Sequence, residues 1–437
     1  MDLTITRVET ESVRVPLERV YKGSHYKMTH RSTTITRIFT KSGLVGEAYA
    51  GDEDAGLLEI DNIIHEELAP LILGKDAFEI EKLWELCRPA TWDILRDRRL
   101  GLVATASIDV TLWDLLGKAY NAPLWKLWGG YRSKIPVITI GGYYGSDLTI
   151  QEEVEYLLKE EFAGMKFKIG GLEPEEDAKR FKEARRVGGD KFRIAVDANQ
   201  GYTVPQAIKF SHLVADDNLL WFEEPCIWQN DKKAMRDVRY VGNVAVTAGQ
   251  TEFSAAGCRD LMETGSIDYC NFDSSWSGGP TEWRRAAAIA TVYDVKMAHH
   301  EEPQVASHLL ASIPHGTYLE FFHPMRDPIW HNMIANRPKL KDGYMQLNDT
   351  PGLGWELDRD YIKKYRIAER VSELSKSAPD QMNSVKWNLS RSTALGKCCC
   401  SKSLGISTCC SIYNITLSLV IGEFSIDTLH ASGKDSS

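Results

Sequence analysis

Residues 193–225, RIAVDANQGYTVPQAIKFSHLVADDNLLWFEEP, contain one full structural period. An apolar run of strand length ends on Asp197, an amphipathic stretch of helix length follows, and a second apolar run ends on Glu223. Apolar runs without alternation belong to strands buried on both faces, as in a parallel sheet covered by helices. The period repeats outward in both directions. PVITIGGY from Pro136, GMKFKIG from Gly164, RIAVDAN from Arg193, LLWFEEP from Leu219, VAVTAGQ from Val244, DYCNFDSS from Asp268, VKMAHHEE from Val295 and TYLEFF from Thr317 make eight runs whose starts lie 22 to 29 residues apart. That interval is a strand, a loop and a crossover helix, and it predicts an α/β fold built on a parallel (β/α) barrel.

Chemistry in such barrels gathers where the strands end, because the βα loops surround one mouth there. Asp197, Glu223 and Glu252 each end an apolar run, one βα unit apart, a spacing that builds a divalent-metal site from hard oxygen ligands. Lys166 and Lys168 lie one unit upstream at i and i+2, which puts them on one strand face. A second ammonium beside Lys168 would lower its pKa and suit it to act as a base. Downstream, Asp273 and His300 have the makings of a carboxylate-oriented imidazole, whereas adjacent His299 faces the other way and reads as a core histidine.

The 437 residues suggest two packed domains, with 43% hydrophobic and 26% charged residues and a net charge of −9. This balance argues against nucleic acid or a membrane surface as partner. Without a signal-like segment or a run of about 20 apolar residues, the expected location is cytoplasmic. Five of nine cysteines (Cys398, Cys399, Cys400, Cys409, Cys410) crowd a Ser/Thr/Cys-rich tail, residues 375–437, expected to be poorly structured. They lack the CxxC spacing of a zinc site. Residues 1–128 read as an α+β domain, because ITRVETESVRVPL and STTITRIFTKSGLVGEAYA alternate like antiparallel strands before a helical stretch from Leu57. RVYKGSHYKMTHRS between those strands reads as a polar loop able to close over a barrel mouth. The barrel is assigned to 129–344, with a return of the chain to the first domain at about 345–374.

ASIDVTLWDLLGKAYNAPLWKLWGG, KFK, VDAN, FEEP, the Asp of NFDSS and MAHHEEPQVASHLLASIPHGTYLE, in that order over residues 1 to 370, resemble the enolase superfamily and within it the mandelate racemase subgroup. The resemblance implies a modified TIM barrel, (β/α)7β, with an N-terminal α+β capping domain. It also implies Mg2+ as cofactor, abstraction of the proton α to a substrate carboxylate, and a homo-oligomer. By position Asp197 and Glu223 match metal ligands, Lys168 the strand-two base, Asp273 and His300 the dyad, and Glu320 the acid ending strand eight. The family ends strand five on Gly-Glu, where this chain has Gly249-Gln250 and then Thr251-Glu252. An amide contributes no charge, so Glu252 reaching in from the loop is favoured, with Gln250 as the alternative.

A base on each side of a small carboxylate substrate permits racemisation of a 2-hydroxy acid or dehydration to a 2-keto-3-deoxy acid. A sugar acid needs many donors and acceptors, and the capping loop offers Lys22, Ser24, His25, Tyr26, Lys27 and His30, with Tyr143 and Tyr144 on the barrel side. Asn199 could orient a ligand or water, and Glu224 could support the metal ligands. Dehydration of an aldonate or aldarate is therefore expected. The muconate-lactonising type would carry a Lys where Asp273 stands, and a non-catalytic relative would lack Mg2+ binding.

Overall fold

The computed structural model describes residues 1–375, so most of the Cys-rich tail lies outside the described residues. The chain opens with β1 (Ile5–Lys22), β2 (Lys27–Thr40) and β3 (Val45–Tyr49). β1 and β2 pair along most of their length, with Tyr21 opposite Met28 and Lys22 opposite Lys27. The stretch read as a polar loop is therefore mostly strand, and residues 23–26 form the turn. Ser42 and Gly43 turn the chain from β2 to β3, with Gly43 at φ +85°.

The 22-residue helix Arg98–Ala119 packs against this sheet, with the Asp97 side chain accepting from Arg99 N at its start. It is the one helix among the described residues long and apolar enough to cross a membrane, and it is buried within the protein. Its face of Val103, Ile108, Leu112 and Leu115 joins Ile5, Val8 and Ile38 in the first core.

Eight parallel strands follow: β4 (Lys134–Gly141), β5 (Gly164–Lys168), β6 (Arg193–Asp197), β7 (Leu219–Glu223), β8 (Val246–Ala248), β9 (Tyr269–Cys270), β10 (Lys296–Met297) and β11 (Leu319–Phe322). Neighbours pair in sequence order from β4 to β10, and β11 returns to pair with β4. β10 and β11 meet only through a bridge at Met297 and Gly316, where Met297 N donates to His315 O (2.9 Å) and Thr317 N donates to Met297 O (2.9 Å). A helix follows each of the first seven strands, which is the (β/α)7β arrangement. Two short strands, β12 (Leu340–Lys341) and β13 (Tyr344–Gln346), add an antiparallel flap to β4, and β14 (Arg366–Glu373) pairs with β1 in the first sheet.

Strand alternation sorts the barrel residues. Met165, Phe167, Ile194, Val196 and Phe222 pack outward in the large core, while Ile138, Ala195 and Trp221 form an inner floor. One step along each strand from that floor come Lys166, Asp197 and Glu223, all fully buried. Gly51 of the capping segment lies so close to the rim that a Cβ there would sit 2.6 Å from Ser275 Oγ.

Candidate active site

Above the Trp221 floor the strand-end polar groups meet. Lys166 Nζ lies 2.6 Å from Glu223 Oε1, 2.7 Å from Glu320 Oε1 and 3.8 Å from Asp197 Oδ2. Lys168 Nζ donates to Asp197 Oδ2 (2.6 Å) and to Asn199 Oδ1 (3.0 Å). Asn199 reaches this pair with a left-handed backbone, φ +44°.

The lysines do not behave as their spacing suggests. Burial opposes charge on Lys168, but Asp197 at contact distance outweighs it and holds the ammonium well above its ordinary pKa. Repulsion from Lys166 is the weaker force. Burial, with Asp197 and Glu320 alongside, pushes Glu223 up to about 8 against the pull of Lys166. Three buried carboxyl groups (Asp197, Glu223, Glu320) face two ammoniums here, and burial favours a proton on Glu223 that a dication would displace. Among the described residues the acidic and imidazole groups do not stand as a preformed three-ligand cluster, because the ammoniums occupy the carboxylate oxygens. The donor chemistry fits Mg2+ all the same: hard oxygens in a closed site.

Glu252 does not join them. Gly249, at φ +140°, and the Glu252 N to Gly249 O bond (3.0 Å) turn the chain before Glu252. Its carboxylate lies over Gly257 in the following helix and 3.9 Å from Lys232. The expected third ligand thus points away from the barrel axis. In its stead Gln250 and Glu224 meet, with Gln250 Nε2 donating to Glu224 Oε2 (3.2 Å) and Thr251 Oγ1 to Glu224 Oε1 (2.9 Å). Both are buried, and burial with the nearby Asp197 charge raises the Glu224 pKa. Glu252→Gln is expected to leave divalent-cation affinity unchanged by calorimetry, whereas Glu224→Gln lowers it roughly 10–100-fold.

On the opposite side His300 Nδ1 lies 2.9 Å from Asp273 Oδ2, and Asp273 is anchored by Ser275 N and Oγ (2.8 and 2.6 Å). The imidazole lies against Trp276, ring centroids 4.8 Å apart. His299 is a satisfied core histidine, with Ser274 on Nε2 (2.7 Å) and the His300 carbonyl on Nδ1 (2.8 Å). Glu320 pairs with Lys166 and not with Arg326.

The capping hairpin seats itself on the mouth, with Tyr144 N donating to Lys22 O (3.2 Å) and Ser24 Oγ to Ala198 O (2.8 Å). The side chains of Lys22 and His25, expected to bind substrate, are nevertheless exposed. The pleat that turns Lys22 outward turns Tyr21 inward, and Tyr26 places its ring 5.6 Å from Lys168 Nζ. Tyr143 is at the site, its ring 6.0 Å from Lys168 Nζ and 5.1 Å from that of Tyr21. Tyr144 is not, since its hydroxyl is engaged with Asp177 and Gly171 N.

Residues not foreseen complete the wall. Arg326 lies over Phe322 at 4.2 Å and near Tyr21 at 6.0 Å, with Asp52 at 4.0 Å. Its Nε and Nη1, like the hydroxyls of Tyr21 and Tyr143, are buried without a hydrogen-bond partner. Arg31 of β2 pairs with Asp52 of the capping segment (3.1 Å) and ties the cap to the barrel through Glu302 (2.6 Å) and Asp327 (3.2 Å). Burial pushes Glu302 up to about 8 despite Arg31. A buried-side arginine in a strand otherwise rich in Thr and Ile was the available sequence signal for Arg31. Arg326 had none beyond its charge.

Comparison with known proteins follows the same division of the chain. The family model for the mandelate racemase / muconate lactonizing enzyme N-terminal domain matches residues 5–129, and the enolase C-terminal domain-like model matches residues 149–361. The 3,6-anhydro-alpha-L-galactonate cycloisomerase of Streptomyces coelicolor is 31% identical over 370 residues, covering 83% of this chain and 99% of that protein. Arabinonate dehydratase of Saccharolobus solfataricus is 30% identical over 345 residues, 76% of this chain and 90% of its own. A solved mandelate racemase/muconate lactonizing enzyme from a marine actinobacterium, in complex with magnesium, is 58% identical with a TM-score of 0.80, covering 84% of this chain and all (100%) of that one.

Proposed function

Since this chain belongs to the mandelate racemase / muconate lactonizing enzyme family of the enolase superfamily, we propose that it is a Mg2+-dependent dehydratase of a sugar acid, an aldonate or aldarate. The observation that carries the choice of substrate is the wall beyond Lys168. Buried donors on Tyr21, Tyr143 and Arg326 without partners call for a ligand rich in oxygen acceptors. Support comes also from arabinonate dehydratase among the relatives and from the L-talarate dehydratase of Polaromonas, solved with Mg and L-glucarate, 26% identical with a TM-score of 0.77.

Asp197, Glu223 and the Glu224/Gln250 pair would hold the metal. When bound, a dication there would supply positive charge to the substrate carboxylate, and Asp197 shared with it would hold the Lys168 ammonium less tightly. Lys166 binds the carboxylate from the other side, its ammonium held in place by Glu320. Lys168, once neutral, takes the α-proton, and His300 stands across the mouth to pass a proton to the departing β-hydroxyl. Trp276, Tyr26 and the seated hairpin exclude water from the reacting carbons.

A second reading, isomerisation, has the Streptomyces cycloisomerase behind it and uses the same two groups. Keto-acid release from a panel of aldonates and aldarates, with Mg2+ and with excess chelator, separates the two. Metal-dependent 2-keto-3-deoxy product is the expected result. Exchange of the α-hydrogen with solvent deuterium without keto-acid formation from any member would replace the dehydratase by a racemase or cycloisomerase.

A further inference from the structure

His300 is held on both ring nitrogens. Nδ1 faces Asp273 Oδ2 at 2.9 Å, and Nε2 faces Glu301 Oε1 at 3.3 Å. Both partners are carboxylates and both are buried. An imidazolium donates to Asp273 from Nδ1 and carries a positive charge within ion-pair distance of Glu301, whereas a neutral imidazole leaves Glu301 facing an uncharged ring. Glu301 directly follows His300 in the chain, and extended backbone would turn its side chain to the opposite face. Instead Glu301 takes a left-handed backbone, φ +52°, followed by Glu302 at φ +46°. Such a conformation costs a non-glycine residue on the order of 1–3 kcal/mol and marks a position the surrounding structure insists on. Here it aims a carboxylate back at the ring.

We infer that Glu301 is a positioning residue that, with Asp273, holds His300 as an imidazolium, charged and in place for the proton-donating role proposed for it above. This rests on the dehydratase reading for its second half only. In the step, the Cα–H bond breaks and its proton goes to the neutral Lys168 amine, while the electron pair forms the Cα–Cβ double bond. The Cβ–O bond breaks, the oxygen takes the Nε2 proton of His300 and leaves as water, and neutral His300 is reprotonated from solvent. The 3.3 Å contact to Glu301 is long enough for that proton to be shared with a substrate oxygen.

The surroundings agree. Burial lowers the His300 pKa, but Glu301 and Asp273 together carry it up to about 9, against a small opposing effect of Lys166. Burial depresses the pKa of His299, against the opposing charge of Asp273. Glu224, just past β7, acts on the ring, and Arg31 and Asp52 of the capping domain and Arg326 beyond β11 act on Glu301. Burial raises Glu301, which the charges of His300, Arg31 and Arg326 oppose.

The test is the titration of His300 in the full-length protein, followed by NMR with ring-13C-labelled histidine and the His300 signal identified by its loss in His300→Asn. In Glu301→Gln the midpoint should fall by at least about one unit, roughly tenfold less imidazolium above the midpoint. Glu301→Asp, which keeps the charge at shorter reach, should fall in between and serves if the Gln variant does not fold. The alkaline limb of the rate profile should move to lower pH by the same amount, because less of the acid stays protonated. An unmoved midpoint in both variants would overturn the inference. A shifted midpoint in a protein that dehydrates no sugar acid would overturn the dehydratase reading while leaving the hold of Glu301 on His300 in place.

Discussion

Lys168→Ala is expected to abolish both solvent-deuterium exchange at the α-carbon and keto-acid release, whereas His300→Asn abolishes only the release. General acid–base groups contribute about 10²–10⁴-fold each, so either loss is large. The distinction arises from the sides of the mouth they occupy. Lys168 stands on β5 beside Asp197 and Asn199, and His300 stands beyond β10 between Asp273 and Glu301. An imidazolium held between two carboxylates is already protonated and has no lone pair free to take the α-proton, so exchange should survive its removal. The fold should survive Lys168→Ala too, because Asp197 keeps Lys166 at 3.8 Å. Exchange measured by mass spectrometry and keto acid measured by colorimetric assay on the same samples decide it. Loss of exchange in His300→Asn with retention in Lys168→Ala would reverse the two roles.

Asp197→Asn should remove turnover together with the response of stability to metal. Asp197 is fully buried and faces both ammoniums, Lys168 at 2.6 Å and Lys166 at 3.8 Å. Removing one partner of a buried ion pair costs about 3–5 kcal/mol, because the remaining charge stays in a low-dielectric site. In the wild-type protein, Mg2+ at a hundredfold above its dissociation constant adds about 2.7 kcal/mol to unfolding, and chelator removes it. Urea unfolding with Mg2+ and with EDTA therefore gives two separated curves for wild type and coincident, left-shifted curves for Asp197→Asn. Equal metal stabilisation in both proteins would take Asp197 out of the ligand set.

Strand-end chemistry was readable because it follows from periodicity. Each apolar run had to be a strand and each strand had to end at the same mouth, where Lys166, Lys168, Asp197 and Glu223 meet and Asp273 pairs with His300; Glu320, which only the family resemblance singled out, lies 2.7 Å from Lys166. Loop residues were not readable in this way. Glu252 was expected at the centre and lies over Gly257, because a turn at Gly249 reverses the chain ahead of it. Lys22 and His25 were expected to touch substrate and face solvent, because the capping strands run further than their polar composition suggested and the pleat carries Tyr21 inward.

The amino-acid sequence by itself determined the barrel, the cap and the identity of the strand-end groups, because burial on two faces and a 3.6- or 2-residue period are local properties of a chain. Tertiary structure alone decided the electrostatics and the aim of the loops. Whether Lys168 is lowered by Lys166 or raised by Asp197 depends on distances across strands, and there the carboxylate wins. Whether Glu301 follows strand alternation or turns back on His300 depends on a left-handed backbone that residue type does not specify and the surrounding packing imposes.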